Sequence, residues 1–189
     1  MIAAMLVPTS SPPRLAIAPA TEADLPLVER LANAIWREYY PAILSAAQID
    51  YMLARGYSGD ARAPFVRNDG AGLAILSADG APAGFAAWYR AKEPSTTTLD
   101  KLYVAARTRG SGGGRALLAH VEEAAQRDGS RTLILNVNRH NAKSIAACRA
   151  CGFALRDEVV VDIGNGFVMD DYVMAKPLAS GGSGSIFQS

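Results

Sequence analysis

The sequence predicts one mixed α/β domain, and three observations carry that prediction. Several short runs alternate apolar and polar residues with the period of a strand, and others repeat apolar residues at helical spacing. One strand-like run also meets a glycine cluster that opens directly into an amphipathic helix. A chain of 189 residues, 50% hydrophobic and 20% charged, is long and apolar enough to bury a sizeable core. No self-similarity recurs at a period of roughly 20 to 50 residues, which argues against a solenoid or propeller.

Each element follows from local chemistry. Arg14 to Pro19 sets Leu15 and Ile17 in alternation, as a strand does, and Leu27, Val28, Leu31, Ala34 and Ile35 then share one helical face. Thr21 or Asp24 caps that helix, and Pro26 falls in its first turn, where its missing N–H is not needed. Ile49, Met52 and Leu53 mark a second, shorter helix. Gly72 to Ser77 and Ala83 to Tyr89 flank Asp79-Gly80, a dipeptide suited to the positive φ angles of a hairpin turn. Thr96 to Val104 reads as a long strand. Gly114 to Arg127 reads as a helix with Leu117, Leu118, Val121, Ala124 and Ala125 on one face. Thr132 to Asn138 is a further strand, and Ala142 to Ala150 a short helix ended by Gly152. Val159 to Ile163 and Phe167 to Met174 form a last hairpin around Gly164-Asn165-Gly166. After two helices the predicted order is therefore β-β-β-α-β-α-β-β.

The domain is expected over residues 14–178. Residues 1–13, rich in Pro, Ser and Thr, are expected to be a disordered N-terminal segment, and residues 179–189 a flexible Gly/Ser tail with the composition of an engineered spacer. Nineteen basic against 18 acidic residues leave a formal charge of +1, which gives no field to draw in nucleic acid or an anionic membrane. No run approaches the roughly 18 apolar residues that a membrane span needs, and Met1 to Leu6 lack the basic lead of a secretory signal. The only cysteines, Cys148 and Cys151, lie late in a predicted helix, which suits neither a disulfide framework nor a redox pair. A cytoplasmic location is expected. Neither His120 nor His140 has the paired spacing of a zinc site, so no metal is expected.

The glycine cluster is the most informative stretch. Four of the six residues of Arg109-Gly110-Ser111-Gly112-Gly113-Gly114 are glycine, and they join a strand to the N-terminus of a helix. The free N–H groups and positive dipole end of such a helix suit an anion, phosphate above all. A P-loop ends in Gly-Lys-Ser/Thr, but here Arg115 and Ala116 follow Gly114. The dinucleotide fingerprint needs a third glycine where this chain has Arg115 or Leu117, so it fails too.

The spacing of Arg109, Gly112 and Gly114 does fit Arg/Gln-x-x-Gly-x-Gly/Ala, the cofactor signature of the GNAT superfamily of N-acetyltransferases. Leu99 to Val104 before it, and Asn136, Asn138, Asn141, Ser144, Ile145, Gly152 and Phe153 after it, resemble the family's next landmarks. Ile35-Trp36, Tyr39-Tyr40-Pro41, Gln48 to Leu53 and Asp162 to Phe167 are similar to one bacterial subgroup, for which no substrate is implied. The resemblance implies a mainly antiparallel central sheet flanked by helices and splayed between the strands before and after the cofactor-loop helix. It implies acetyl-CoA as co-substrate, with its arm on Leu102, Tyr103 and Val104. Its phosphates would lie on Arg109, Gly110, Ser111, Gly112, Gly113, Gly114 and Arg115, and Asn138, Asn141 and Ser144 would complete the set. Asn141 is equally suited to capping the helix that follows.

The implied activity is acetyl transfer to a primary amine by direct attack in a ternary complex. That reaction needs a neutral amine, a polarised carbonyl and a proton for the leaving thiolate, and positioning supplies much of the rate. The carbonyl donor implied is a backbone N–H at about Tyr103 or Val104. Seven residues after the family asparagine, where a tyrosine usually protonates the thiolate, this chain has Cys148, which is either a short general acid or a small buried hydrophobe. Thr98 stands where some relatives carry a catalytic Glu, which leaves Asp100, two residues on, as a base candidate. The acceptor end is expected to hold Trp36, Tyr39, Tyr40 and the carboxylates Asp170 and Asp171, with Tyr51 in the same aromatic cluster. The acceptor is a small-molecule or peptide amine, not a nucleic acid, and the protein a monomer or homodimer. The alternative is a non-catalytic acyl-CoA-binding module of the same fold.

Overall fold

Seven strands form a single sheet in a computed structural model that describes residues 12–57 and 59–179. They are β1 (Leu15–Pro19), β2 (Ala71–Ala78), β3 (Ala81–Arg90), β4 (Thr96–Val104), β5 (Thr132–Asn138), β6 (Ala154–Gly164) and β7 (Phe167–Pro177), in spatial order β1-β2-β3-β4-β5-β7-β6. Every neighbouring pair is antiparallel except β4 with β5. The helices are α1 (Leu25–Tyr39), α2 (Ala46–Tyr57), α3 (Gly59–Arg62), α4 (Pro64–Arg67), α5 (Gly113–Arg127) and α6 (Ala142–Ala150). The expected element order holds, with α3 and α4 added. The expected disorder at the chain ends lies outside the described residues except at Pro12, Pro13 and Ala179. No helix among the described residues is long and apolar enough to cross a membrane.

Local signals act as their chemistry requires. Thr21 donates both its N–H and its hydroxyl to Asp24 Oδ2 at 2.8 Å, closing a 3₁₀ turn from which α1 continues with Pro26 in its first turn. The turn between β2 and β3 holds Asp79 at φ 50° and Gly80 at φ 79°, the left-handed pair that a tight hairpin demands.

The sheet divides two cores. Leu25, Val28, Ala32 and Trp36 of α1 and Ile49, Leu53 and Tyr57 of α2 bury against one face, on Leu73, Ile75, Phe85 and Ala87. Leu117, Leu118, Val121 and Ala125 of α5 and Ile145 of α6 bury against the other, on Leu76, Leu99, Leu133, Leu135 and Met174.

Two irregularities in the middle of the sheet position the site. The parallel pairing of β4 with β5 runs only from Thr96 and Thr132 to Leu99 and Leu135; beyond it the strands part, and β5 continues with β7 alone. At the same level the β3–β4 register slips, with Trp88 opposite Leu99 but Ala87 opposite Lys101, so Asp100 is an extra residue in β4. Leu99 and Leu102 both pack on the α5 side while Tyr103 packs on the α1 side, so the slip turns Asp100 and Lys101 together toward α1 and its neighbours.

Candidate active site

The turn from β4 into α5 leaves a helix N-terminus open. Gly110 (φ 83°) and Gly112 (φ 89°) take the left-handed conformation that side chains resist, and Gly112 occupies the cap position with no side chain bonded over the helix end. The first-turn amides and the positive dipole end therefore point outward with no side chain over them, which suits a phosphate. Ser111 braces the turn by donating its hydroxyl to Thr108 O at 2.7 Å.

Beside this turn, where β4 and β5 part, lies a cleft of about 310 Å³. Leu102, Tyr103 and Val104 form one wall, Lys143, Ser144 and Ala147 of α6 the opposite one, and Ile35, Tyr39, Tyr40 and Arg109 close its sides. Asn141 does cap α6: its Oδ1 accepts from Ser144 N–H at 3.1 Å and from the Tyr39 hydroxyl at 2.8 Å. Asn138 closes the preceding turn, its carbonyl accepting from Asn141 N–H at 2.8 Å and its Oδ1 from His140 N–H at 3.0 Å. Arg109 lies 5.1 Å from the centre of the Tyr39 ring, pairs with Glu38 at 3.1 Å and donates to Val104 O at 3.2 Å. The guanidinium thus stands at the junction of the glycine turn and the cleft.

The face toward α1 and α2 carries the polar and aromatic groups. Trp36 stacks on Tyr40 with ring centres 4.3 Å apart and donates its indole N–H to the Tyr57 hydroxyl at 3.2 Å, so it backs the wall that Tyr40 presents. Burial drives the hydroxyls of Tyr40, Tyr57 and Tyr103 well above the usual phenol range, and their mutual proximity adds to the shift for Tyr40 and Tyr103. All three stay neutral at any working pH. Asp100 is ion-paired on both oxygens, to buried Arg62 at 3.2 Å and to Lys101 at 3.0 Å. Asp170 turns to the opposite face, where Arg139 holds it at 2.6 Å and lies over the Tyr172 ring. Asp171, one residue on, is buried, and burial first and Asp170 second push its carboxyl up to about 6 against the opposing pull of Lys101. Cys148 is half-buried against the α5–α6 core, and burial pushes its thiol up to about 11.

The structure thus brings together Leu102, Tyr103, Val104, Arg109, Ser144, Asn141, Tyr39 and Tyr40 around one cleft. It sets Cys148 against the core behind Ala147, and sends Tyr51 away to the β6–β7 hairpin, where it donates to Ile163 O and packs on Phe167 at 5.5 Å. Sequence reasoning missed Tyr57, Arg62, Lys101, Lys143 and Ala147. Helical spacing from Ser144 reaches Ala147, but nothing local marks Arg62 as the partner of Asp100. No group of three or more His, Cys, Asp or Glu side chains among the described residues is placed to hold a metal ion.

Comparison with known proteins agrees with this geometry. The model of the acetyltransferase (GNAT) family matches residues 28–153. A streptothricin acetyltransferase from Streptomyces lavendulae is 39% identical over 79 residues, 42% of this chain and 42% of that protein, so the match spans less than half of the relative's length. The solved PaiA N-acetyltransferase from Thermoplasma acidophilum, in complex with coenzyme A, superposes with a TM-score of 0.75 at 21% identity, covering 87% of this chain and 99% of that one. A nourseothricin acetyltransferase structure superposes with a TM-score of 0.54 at 28% identity, over 59% of this chain and 67% of that one.

Proposed function

This chain belongs to the acetyltransferase (GNAT) family, and we propose that it moves an acetyl group from acetyl-CoA to a primary amine within a ternary complex, without a covalent intermediate. The observation that carries the proposal is the parting of β4 from β5 immediately beside an uncapped helix N-terminus, a gap with unpaired strand edges next to an anion seat.

Each part of the site then has a task. The amides of residues 110–115, with Arg109, hold the pyrophosphate. The free edge of Leu102, Tyr103 and Val104 pairs with the amide-bearing arm, against Ser144 and the Asn138–Asn141 turn. A backbone N–H at Tyr103 or Val104 meets the thioester oxygen and strengthens as the oxyanion forms, an effect worth about 3 kcal/mol in comparable sites. The acceptor enters from the α1–α2 face, against Tyr39 and Tyr40 with Trp36 behind them, near Asp171; Asp170, alternating onto the Tyr172 side of β7 and paired with Arg139, is assigned to holding that guanidinium. We assign Asp100 to holding Arg62 and Lys101, since both its oxygens are ion-paired, and Cys148 to packing, since it lies against the core. The thiolate then takes its proton from the amine nitrogen itself. A cytoplasmic location is in keeping with two free cysteines.

Thiol release from acetyl-CoA in the presence of a panel of primary amines, with the matched alcohols as controls, tests this reading. Release with amines alone is expected; release at the same rate with neither present would make the protein a thioesterase instead.

A further inference from the structure

Asp171 is the one acidic side chain buried among the described residues, at 4% exposure, and its Oδ1 has no hydrogen-bond partner. Asp100 has Arg62 and Lys101, and Asp170 has Arg139, but Asp171 makes no ion pair among the described residues. An unpaired buried carboxyl is a standing cost to the fold, and such groups collect where chemistry uses them.

Its position fits a use. Asp171 lies on β7 opposite Asn138, beyond the level at which β4 and β5 part. Tyr172 and Met174 pack on the α5–α6 side, so Asp171 faces the α1–α2 side, as Tyr103 does. There it is close enough to the cleft-lining Tyr40 to disfavour that residue's ionisation, and close enough to Lys101 to feel its charge. The β6–β7 hairpin roofs this side of the sheet: Ile163 O accepts from Tyr51 and Arg55 of α2, and Val168 O from Gln48 at 3.1 Å.

We infer that Asp171 is the general base, taking a proton from the ammonium of a cationic acceptor bound beneath the hairpin. This rests on the transferase reading. The ammonium gives one proton to the Asp171 carboxylate, and the freed nitrogen attacks the thioester carbon. The N–C bond forms, the C–S bond breaks, the second proton leaving nitrogen ends on the CoA thiolate, and the proton on Asp171 passes to water. Tyr40 and Lys101 are the groups near the carboxyl on this face, and Asp170, its chain neighbour on the other face, acts on it only through its charge; Tyr40 stays neutral, and Lys101 keeps the carboxyl from rising further. A carboxyl poised near 6 is ionised at neutral pH yet basic enough to accept a proton.

The test compares wild type with Asp171→Asn across pH, using acetyl-CoA with a panel of 1,4-diaminobutane, lysine and benzylamine. For wild type, kcat/KM rises to a level above about pH 6, because the bound ammonium is deprotonated on the enzyme. The variant loses about 100-fold or more in kcat, a typical general-base contribution. Its remaining rate climbs instead toward the amine's own pKa, while acetyl-CoA affinity stays within about twofold. Wild-type rate and the same limb near pH 6 in the variant would overturn the base assignment and leave the transferase reading intact. No acetyl-CoA binding by wild type would sink both. Independently of any acceptor, carbon-13 resonance of labelled Asp side chains is expected to show one carboxyl titrating near pH 6 that is missing from the variant; all carboxyls titrating near 4 would contradict the inference.

Discussion

The Tyr39 hydroxyl on α1 donates to Asn141 Oδ1 at the start of α6, at 2.8 Å across 102 residues of sequence. This contact, partly buried, ties the end of α1 to the start of α6 at the rim of the cleft, and it orients the same oxygen that caps α6. Tyr39→Phe removes one such bond, worth about 1 kcal/mol. The expected result is an acetyl-CoA Kd raised about fivefold, read by calorimetry, with kcat changed less.

Gly112 holds φ 89° at the cap of α5. Ala in its place must adopt a left-handed backbone at a cost of about 1 kcal/mol, or tilt the first-turn amides away from the phosphate seat. We expect Gly112→Ala to lower the denaturation free energy by about that amount and to weaken acetyl-CoA binding by more than tenfold. Chemical denaturation alongside calorimetry separates the two effects.

Arg62 and Asp100 meet at 3.2 Å with the guanidinium nearly enclosed, and Arg62 also lies 5.2 Å from the Tyr57 ring centre. Removing Asp100 strands the buried guanidinium, at about 3 kcal/mol, whereas removing Arg62 leaves Asp100 its pair with Lys101 and costs less. Arg62→Ala and Asp100→Asn should therefore both lose stability by denaturant titration. Turnover per folded molecule should stay within about tenfold for Asp100→Asn if its task is structural; a catalytic base would lose activity with stability intact.

Cys148, with its thiol pushed up to about 11 by burial and then by Cys151, stays protonated through the working range. Cys148→Ala should leave kcat and its pH profile within about twofold and cost about 1 kcal/mol of packing. Thiol-reagent kinetics on the folded protein should accordingly be slow.

How far the sequence could be read depended on burial and on range. The bounds of β4, β5 and α6 were legible residue for residue: β5 alternates Leu133, Leu135 and Val137, β4 is a β-branched and aromatic run that stops before the glycine turn, and α6 lies between Asn141, which caps it, and Gly152. The strand β6 was legible only from Val159. Its first half, Ala154 to Glu158, is exposed on the sheet edge, so no buried face imposes alternation. The helices α3 and α4 have four residues each, too few to show a period. The glycine turn was legible because backbone geometry requires glycine at Gly110 and Gly112. The aromatic wall was half legible: Trp36 of α1 and Tyr40 of the 3₁₀ turn that follows it came from one stretch of sequence, but Tyr57 replaced Tyr51 as their partner, a choice made by how α2 packs. The extra residue at Asp100 carries no local signal, and with it the pairing to Arg62 was out of reach.

The most direct test of the central claim is calorimetric titration of acetyl-CoA, since it needs no knowledge of the acceptor. A Kd on the order of 1–100 μM is expected, with binding at least about 100-fold weaker for acetyl-pantetheine, which lacks the phosphates. No heat of binding, or equal affinity for both compounds, would contradict the assignment of the phosphate turn and with it the transferase site.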